Sequence, residues 1–165
     1  MNSLDEIKDI LWLYSTHERQ PFQADEAFAN LNGFGALVID GLIWGLQQDD
    51  SGLKLTVLQL LQEHFADAKR ALAAVRSLIS DEEDRLVRVT AINTLHVMRD
   101  TSNDILPLLK QKLESRDDLE RLFAAANLWR ICRSEDAYFV LRREAAGDGD
   151  DPLTEMARGI LEDGV

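Results

Sequence analysis

The stretch Asp84-Arg85-Leu86-Val87-Arg88-Val89-Thr90-Ala91-Ile92-Asn93-Thr94-Leu95 meets a loose copy of itself 33 residues on, at Asp117-Asp118-Leu119-Glu120-Arg121-Leu122-Phe123-Ala124-Ala125-Ala126-Asn127-Leu128. A second shift of 33 puts Asp150, Ala157 and Leu161 on the same columns. A shift back of 34 matches Asp50, Lys54, Leu55, Thr56 and Leu61 to Asp84, Arg88, Val89, Thr90 and Leu95. Each column has a physical role. Small Ala91, Ala124 and Ala157 let neighbouring helices approach, and Leu61, Leu95, Leu128 and Leu161 fill a shared core. Asp50, Asp84, Asp117 and Asp150 suit the N-cap, where a side-chain oxygen accepts backbone N–H groups.

Working outward, apolar residues recur at three- and four-residue spacings almost throughout, and strand-like alternation is missing. Pro21, Gly33, Gly52, Gly147, Gly149 and Pro152 fall between these segments or at their starts. The pattern predicts helices over 3–16, 24–31, 34–48, 51–65, 68–80, 84–98, 103–115, 117–132, 135–146 and 151–162. Second helices repeat as well: Ala71-Leu72-Ala73-Ala74-Val75-Arg76 aligns with Ile105-Leu106-Pro107-Leu108-Leu109-Lys110 and with Ala137-Tyr138-Phe139-Val140-Leu141-Arg142. The unit is therefore a helix pair of about 33 residues. One pair cannot bury its own apolar face, and stacked pairs share one core.

The Asp-x-x-x-Arg start, the small-residue column and the closing leucine resemble HEAT-like repeats, of the short bacterial kind related to phycobilisome lyases. The resemblance covers residues 49–162. It implies an all-α fold, a right-handed α-solenoid of stacked antiparallel helix pairs. Residues 1–48 are expected to be an N-terminal helical cap, and 49–165 the repeats with a C-terminal capping helix, in one continuous domain.

Composition limits function. The 165 residues carry 18 Lys and Arg against 30 Asp and Glu, a net charge of −12, with 45% hydrophobic residues. That is enough apolar mass for a core. The charge repels phosphate backbones and anionic membrane surfaces, so neither nucleic acid nor membrane is an expected partner. A single cysteine, Cys132, excludes an internal disulfide and a Cys-rich zinc site. The start Met-Asn-Ser-Leu-Asp-Glu has no signal-peptide pattern, and no apolar run nears membrane-spanning length, so a cytoplasmic location is expected.

No catalytic motif stands out. His17, His64 and His96 lie in no local metal motif, and there is no Gly-x-Ser-x-Gly elbow or phosphate-cradling glycine loop. His96 shares a column with Trp129 and reads as helix-surface packing. Cys132, beside Arg130 and Arg133, closes a helix among apolar neighbours and reads as a structural thiol. No enzyme activity, cofactor or metal is expected. Asp50 with Lys54, Asp84 with Arg88 and Asp117 with Arg121 share helix faces as opposite charges four apart.

Two charge patterns are candidate partner-binding sites. Carboxylates crowd the inter-repeat turns, and Asp49, Asp81, Glu82, Glu83, Asp118, Asp148 and Asp151 would form an acidic edge. Acids at helix N-termini also serve capping and solubility; the functional expectation is a docking edge for a basic partner. Arg76, Lys110 and Arg142, with Arg143 adjacent, hold equivalent places in the second helices. In HEAT-like folds such helices line the concave face, so these four would form a positive stripe there, suited to an acidic segment or small anion. The aromatic residues Trp12, Tyr14, Phe22, Phe28, Phe34 and Trp44 concentrate in the N-terminal third, as core packing of a cap or as interface anchors.

The expected function is that of a non-catalytic protein-binding module, monomeric when free, of the kind represented by bacterial immunity proteins that neutralise a cognate basic toxin domain. The alternatives are an adaptor in a larger complex and a subunit resembling the HEAT-type chromophore lyases.

Overall fold

A computed structural model describes residues 3–15, 24–81 and 84–163. Among them are ten α-helices and no strand. The helices are α1 (Leu4–Ser15), α2 (Ala24–Leu31), α3 (Leu37–Leu46), α4 (Ser51–Glu63), α5 (Leu72–Asp81), α6 (Arg85–Val97), α7 (Leu106–Lys112), α8 (Asp118–Cys132), α9 (Glu135–Ala145) and α10 (Pro152–Glu162). Short 3₁₀ turns at Asn32–Phe34, Lys69–Ala71 and Asn103–Ile105 take up the starts or ends of three longer predicted helices. His17, Pro21, Phe22, Glu82 and Glu83 lie outside the described residues.

The repeated aspartates start helices as their column requires. Asp50 accepts the Leu53 N–H at 2.7 Å. Asp84 accepts from Leu86 at 2.8 Å and Val87 at 3.2 Å. Asp117 accepts from Leu119 at 3.0 Å and Glu120 at 3.1 Å. Each such cap contributes about 1 kcal/mol. The fourth is a correction: α10 is capped by Asp151, not Asp150, through the Leu153 N–H at 3.3 Å. Pro152 occupies the first helical turn and puts the cap immediately before itself.

The chain forms two compact units, Met1–Arg99 and Asp100–Val165. In the first, α1 packs on α2, α3 and α4, so the predicted N-terminal cap shares a unit with α4–α6. Helices α4 and α6 run side by side in the same direction. At their starts Asp84 accepts a hydrogen bond from Ser51. At their far ends Gln62 donates to Thr94 at 2.8 Å and accepts from Asn93 at 3.3 Å. Helices α3 and α5 also pack together, and Arg70, just before α5, pairs with Asp40 near the start of α3. Helix α3 is notched by Gly41 and Gly45. A Cβ at Gly41 would stand 2.3 Å from Ile7 Cγ2, and one at Gly45 2.8 Å from Val57 Cγ2. The notch lets α1 and α4 press against the α3 backbone.

In the second unit α8 packs on α7, α9 and α10, and α9 packs on α10. The turn from α8 to α9 is made by Arg133 in the left-handed region, φ 51°, followed by Ser134 as N-cap. The small column is fully buried at Ala91, Ala124 and Ala157. Of the leucine column, Leu61, Leu95 and Leu128 are buried, while Leu161 near the end of α10 is only half-buried.

Candidate functional site

The turn from α7 to α8 is built around Ser115. Its hydroxyl donates to Glu120 Oε2 at 2.8 Å and accepts the Asp117 N–H at 3.1 Å. Its carbonyl accepts from Arg121 Nη1 at 2.8 Å. Glu120 is only 3% exposed, and its carboxylate also lies 3.4 Å from Lys112 Nζ. A buried carboxylate needs such partners, because an unpaired one costs several kcal/mol. The turn is thus tied down from both sides, and Arg116 stands at its exposed position.

Beside this turn opens a cleft of about 810 Å³ among α7, the start of α8 and α9. Lys110, Arg116, Arg121 and Arg143 bring four cations to its lining, against Glu114, Asp136 and Glu144. Arg121 is engaged with Asp118 and the Ser115 carbonyl, and Arg143 lies 3.3 Å from Glu144. The side chains of Lys110 and Arg116 have no hydrogen-bond or ion-pair partner among the described residues. Phe139 lines the same cleft and is 69% exposed, the most exposed large apolar side chain among the described residues.

An aromatic strip continues from Phe139. Its ring centroid lies 6.3 Å from Tyr138, which lies 5.4 Å from Trp129. Arg142 donates to Tyr138 Oη at 3.1 Å and sits over its ring, and Arg133 sits 4.8 Å from the Trp129 centroid. Cations stacked on aromatic faces are held by the ring quadrupole, at about 0.5–1 kcal/mol each when exposed.

The structure gathers part of the predicted positive stripe. Lys110 and Arg143 meet in the cleft, and Arg142 turns to Tyr138 beside it. Arg76 lies on α5 in the first unit, half-buried. Sequence reasoning missed Arg116 and Phe139 as site residues. Arg116 occupies a turn outside the repeated columns, and only the folded hairpin shows that Phe139 faces solvent.

The acidic positions divide among different tasks. Asp49 is exposed next to the α4 cap. Asp118 is exposed and pairs with Arg121, so in α8 the basic residue of the Asp-x-x-x-Arg pattern reaches one residue past the expected Asp117. Asp148 is exposed in the α9–α10 loop, and Asp151 is exposed and caps α10. Helix α5 ends at Asp81.

At Asp84 the backbone N–H of Val87 is the largest influence and holds the carboxyl below the usual range for aspartate. Hydrogen bonds from Ser51 and Leu86 and the charge of Arg88 add to this, and partial burial opposes it.

Elsewhere, His64 at the end of α4 stacks on Phe28 at 4.4 Å and lies 3.2 Å from Asp25. Trp12 and Trp44 meet edge to face, and Trp12 is partly exposed. Cys132 is exposed, and its thiol donates to the Leu128 carbonyl at 3.3 Å. Among the described residues no helix is long and apolar enough to cross a membrane, and no group of three metal-ligating side chains converges. Comparison with family models, curated proteins and solved structures gives no match.

Proposed function

We propose that this protein is a non-catalytic protein-binding module, a HEAT-like α-solenoid that engages its partner through the α8–α9 face. The observation that carries this reading is Phe139, mostly exposed and lining one cleft together with Lys110, Arg116 and Arg143. Exposing a phenylalanine to water is unfavourable, and aromatic anchors with arginine neighbours are the chemistry of interface hot spots. The repeated Asp-capped helices and the parallel α4–α6 pair support the solenoid reading, since stacked repeats present extended surfaces for binding.

The net charge of −12 favours a second, more specific reading: an immunity protein that neutralises a basic toxin domain. Opposite net charges would speed encounter and occlude a site that handles nucleic acid.

Photo-crosslinking in the native host tests both. A photoreactive phenylalanine is placed at Phe139, at Asp49 and at several exposed positions distant from both. The binding reading expects a discrete heteromeric adduct, formed at Phe139 on the α8–α9 face; adducts only elsewhere overturn that face. No adduct at any position overturns the binding reading itself. The immunity reading further expects the crosslinked protein to arrest growth when expressed alone and not when expressed with this chain; a harmless partner overturns it.

A further inference from the structure

We infer that the cleft between α7 and α9 takes an acidic peptide segment carrying one large apolar residue, with Phe139 packing on that residue and Lys110, Arg116 and Arg143 receiving its carboxylates. This rests on the protein-binding reading and names the chemistry of the partner's contact segment.

Three observations converge. The first is local charge. Within a chain of net charge −12, the cleft lining carries four cations and three carboxylates. An acidic ligand is therefore repelled by the molecule at long range and attracted at this place, which makes the cleft selective among surfaces. The second is unused capacity. Lys110 and Arg116 have no side-chain partner among the described residues, whereas Arg121 is committed to Asp118 and the Ser115 carbonyl. Arg116 can meet a carboxylate with two parallel N–H donors, and the braced Ser115 turn fixes the backbone that carries it. The third is shape. A cleft of about 810 Å³ is within the range of small-ligand and peptide sites, and it is open enough for a chain to enter and leave. Phe139 and half-buried Val140 supply an apolar wall next to the charges, so the occupant carries an apolar group beside its acids.

The strip Tyr138–Trp129, with Arg142 and Arg133 stacked on it, extends this surface in one direction. A segment longer than the cleft would continue along it, its acids meeting Arg142 and Arg133. A small organic dianion would fill the cleft without using the strip, and the strip is what favours a peptide.

The test is selection of a random twelve-residue peptide display library on the full-length protein, followed by affinity measurement of the enriched peptides by fluorescence anisotropy. Enriched peptides should combine at least two Asp or Glu with a Leu, Ile, Phe or Trp. Phe139→Ala and Arg143→Glu should each weaken them at least tenfold, and Arg142→Glu by a smaller factor. Both Phe139 and Arg143 are exposed, so the variants are expected to melt as wild type does. Binding should weaken as salt rises from 50 to 500 mM. Enrichment of basic peptides, peptides indifferent to all three variants, or no enrichment would overturn the inference. A peptide sensitive to Arg143→Glu but not to Phe139→Ala, and competed by a small dicarboxylate such as phthalate, would also overturn it in favour of a small-anion site. Crosslinks from Asp49 alone, with no peptide at the cleft, would refute this segment and leave the protein-binding reading standing.

Discussion

The two compact units use the same sequence device in different materials. In each, Asp-capped helices pack together, α4 with α6 and α8 with α10. The first unit holds its helices by apolar volume, with large buried side chains running from Ile7 through Leu58, Leu60 and Leu61 to Met98, whereas the second has fewer of that size, Ile105, Leu109, Leu122, Leu128 and Leu141. Buried apolar positions in the second unit include Ala124, Ala125, Ala126, Ala137 and Ala157. Alanines bring helices close but bury little area each. There the chain is also tied by charged side chains reaching backbone carbonyls. Arg130 donates to Asp100 O at 2.6 Å, Arg121 to Ser115 O at 2.8 Å, and Arg158 to Ala145 O at 2.9 Å and Gly147 O at 3.3 Å. The contrast teaches where exposed chemistry can be placed. A unit braced by directed polar bonds can leave Phe139 in water, because that side chain is not needed for the core.

The largest effect expected is a break in the apolar half. Gly41→Ala would put a Cβ 2.3 Å from Ile7 Cγ2. Overpacking of that kind costs about 1–3 kcal/mol, partly offset by the roughly 0.5–1 kcal/mol gained when alanine replaces a mid-helix glycine. Ile7→Leu removes the β-branch that clashes. In a urea-denaturation double-mutant cycle, Gly41→Ala should therefore cost less in the Ile7→Leu background than alone. Additive behaviour would show that the close approach of α1 and α3 is not what the glycine serves.

A smaller effect is expected in the polar half. Ser115→Ala removes the hydroxyl that donates to buried Glu120 and accepts from Asp117. Leaving part of that carboxylate unsatisfied costs about 1–2 kcal/mol. If the polar bracing is what shapes the second unit, the same substitution should also weaken any ligand of the cleft, because Arg116 loses its fixed turn. Thermal denaturation by circular dichroism measures the first consequence and anisotropy with the selected peptides the second. A stability loss without a binding loss would separate the brace from the site.

Much of this was legible in the sequence, and the misses have causes. All ten described helices begin within four residues of their predicted starts, α5 and α7 following a short 3₁₀ turn, because apolar spacing and caps act locally. Asp50, Asp84 and Asp117 were readable as caps for the same reason. Counting 33 residues onward pointed to Asp150, but the proline at the next-but-one position outranks the count, since its ring fixes the first helical φ. The Gly41–Gly45 notch belonged to a region without a clear repeat, and its signal was only the i, i+4 spacing of two glycines inside an apolar helix. The cleft was half visible. Lys110 stands in the repeat column and Arg143 lies next to its counterpart Arg142, whereas Arg116 depends on how the Ser115 turn closes, which is a matter of tertiary hydrogen bonding.

The smallest effect concerns the cap at the junction of α4 and α6. Asp84 has its pKa lowered in the folded chain, first by the Val87 N–H and further by Ser51, Leu86 and Arg88. A group whose folded pKa is depressed contributes stability above its unfolded pKa and loses it as pH falls through the folded value. The unfolded value is near 3.8, so the contribution is complete at neutral pH and is lost progressively as pH falls below about 4 toward the folded value. Asn also caps helices well, so Asp84→Asn removes the charge while retaining the cap. At pH 7 this variant should be less stable by about 0.3–1 kcal/mol, the ordinary worth of a negative charge at a helix start. The difference should shrink toward zero as urea melts are repeated down to pH 3. Ser51→Ala should reduce the same pH dependence, because it takes away the neighbouring helix's share of the shift. Were Ser51→Ala to leave it unchanged, the cap would be a property of α6 alone, and the pairing of successive helix starts that links α4 to α6 would contribute nothing to it.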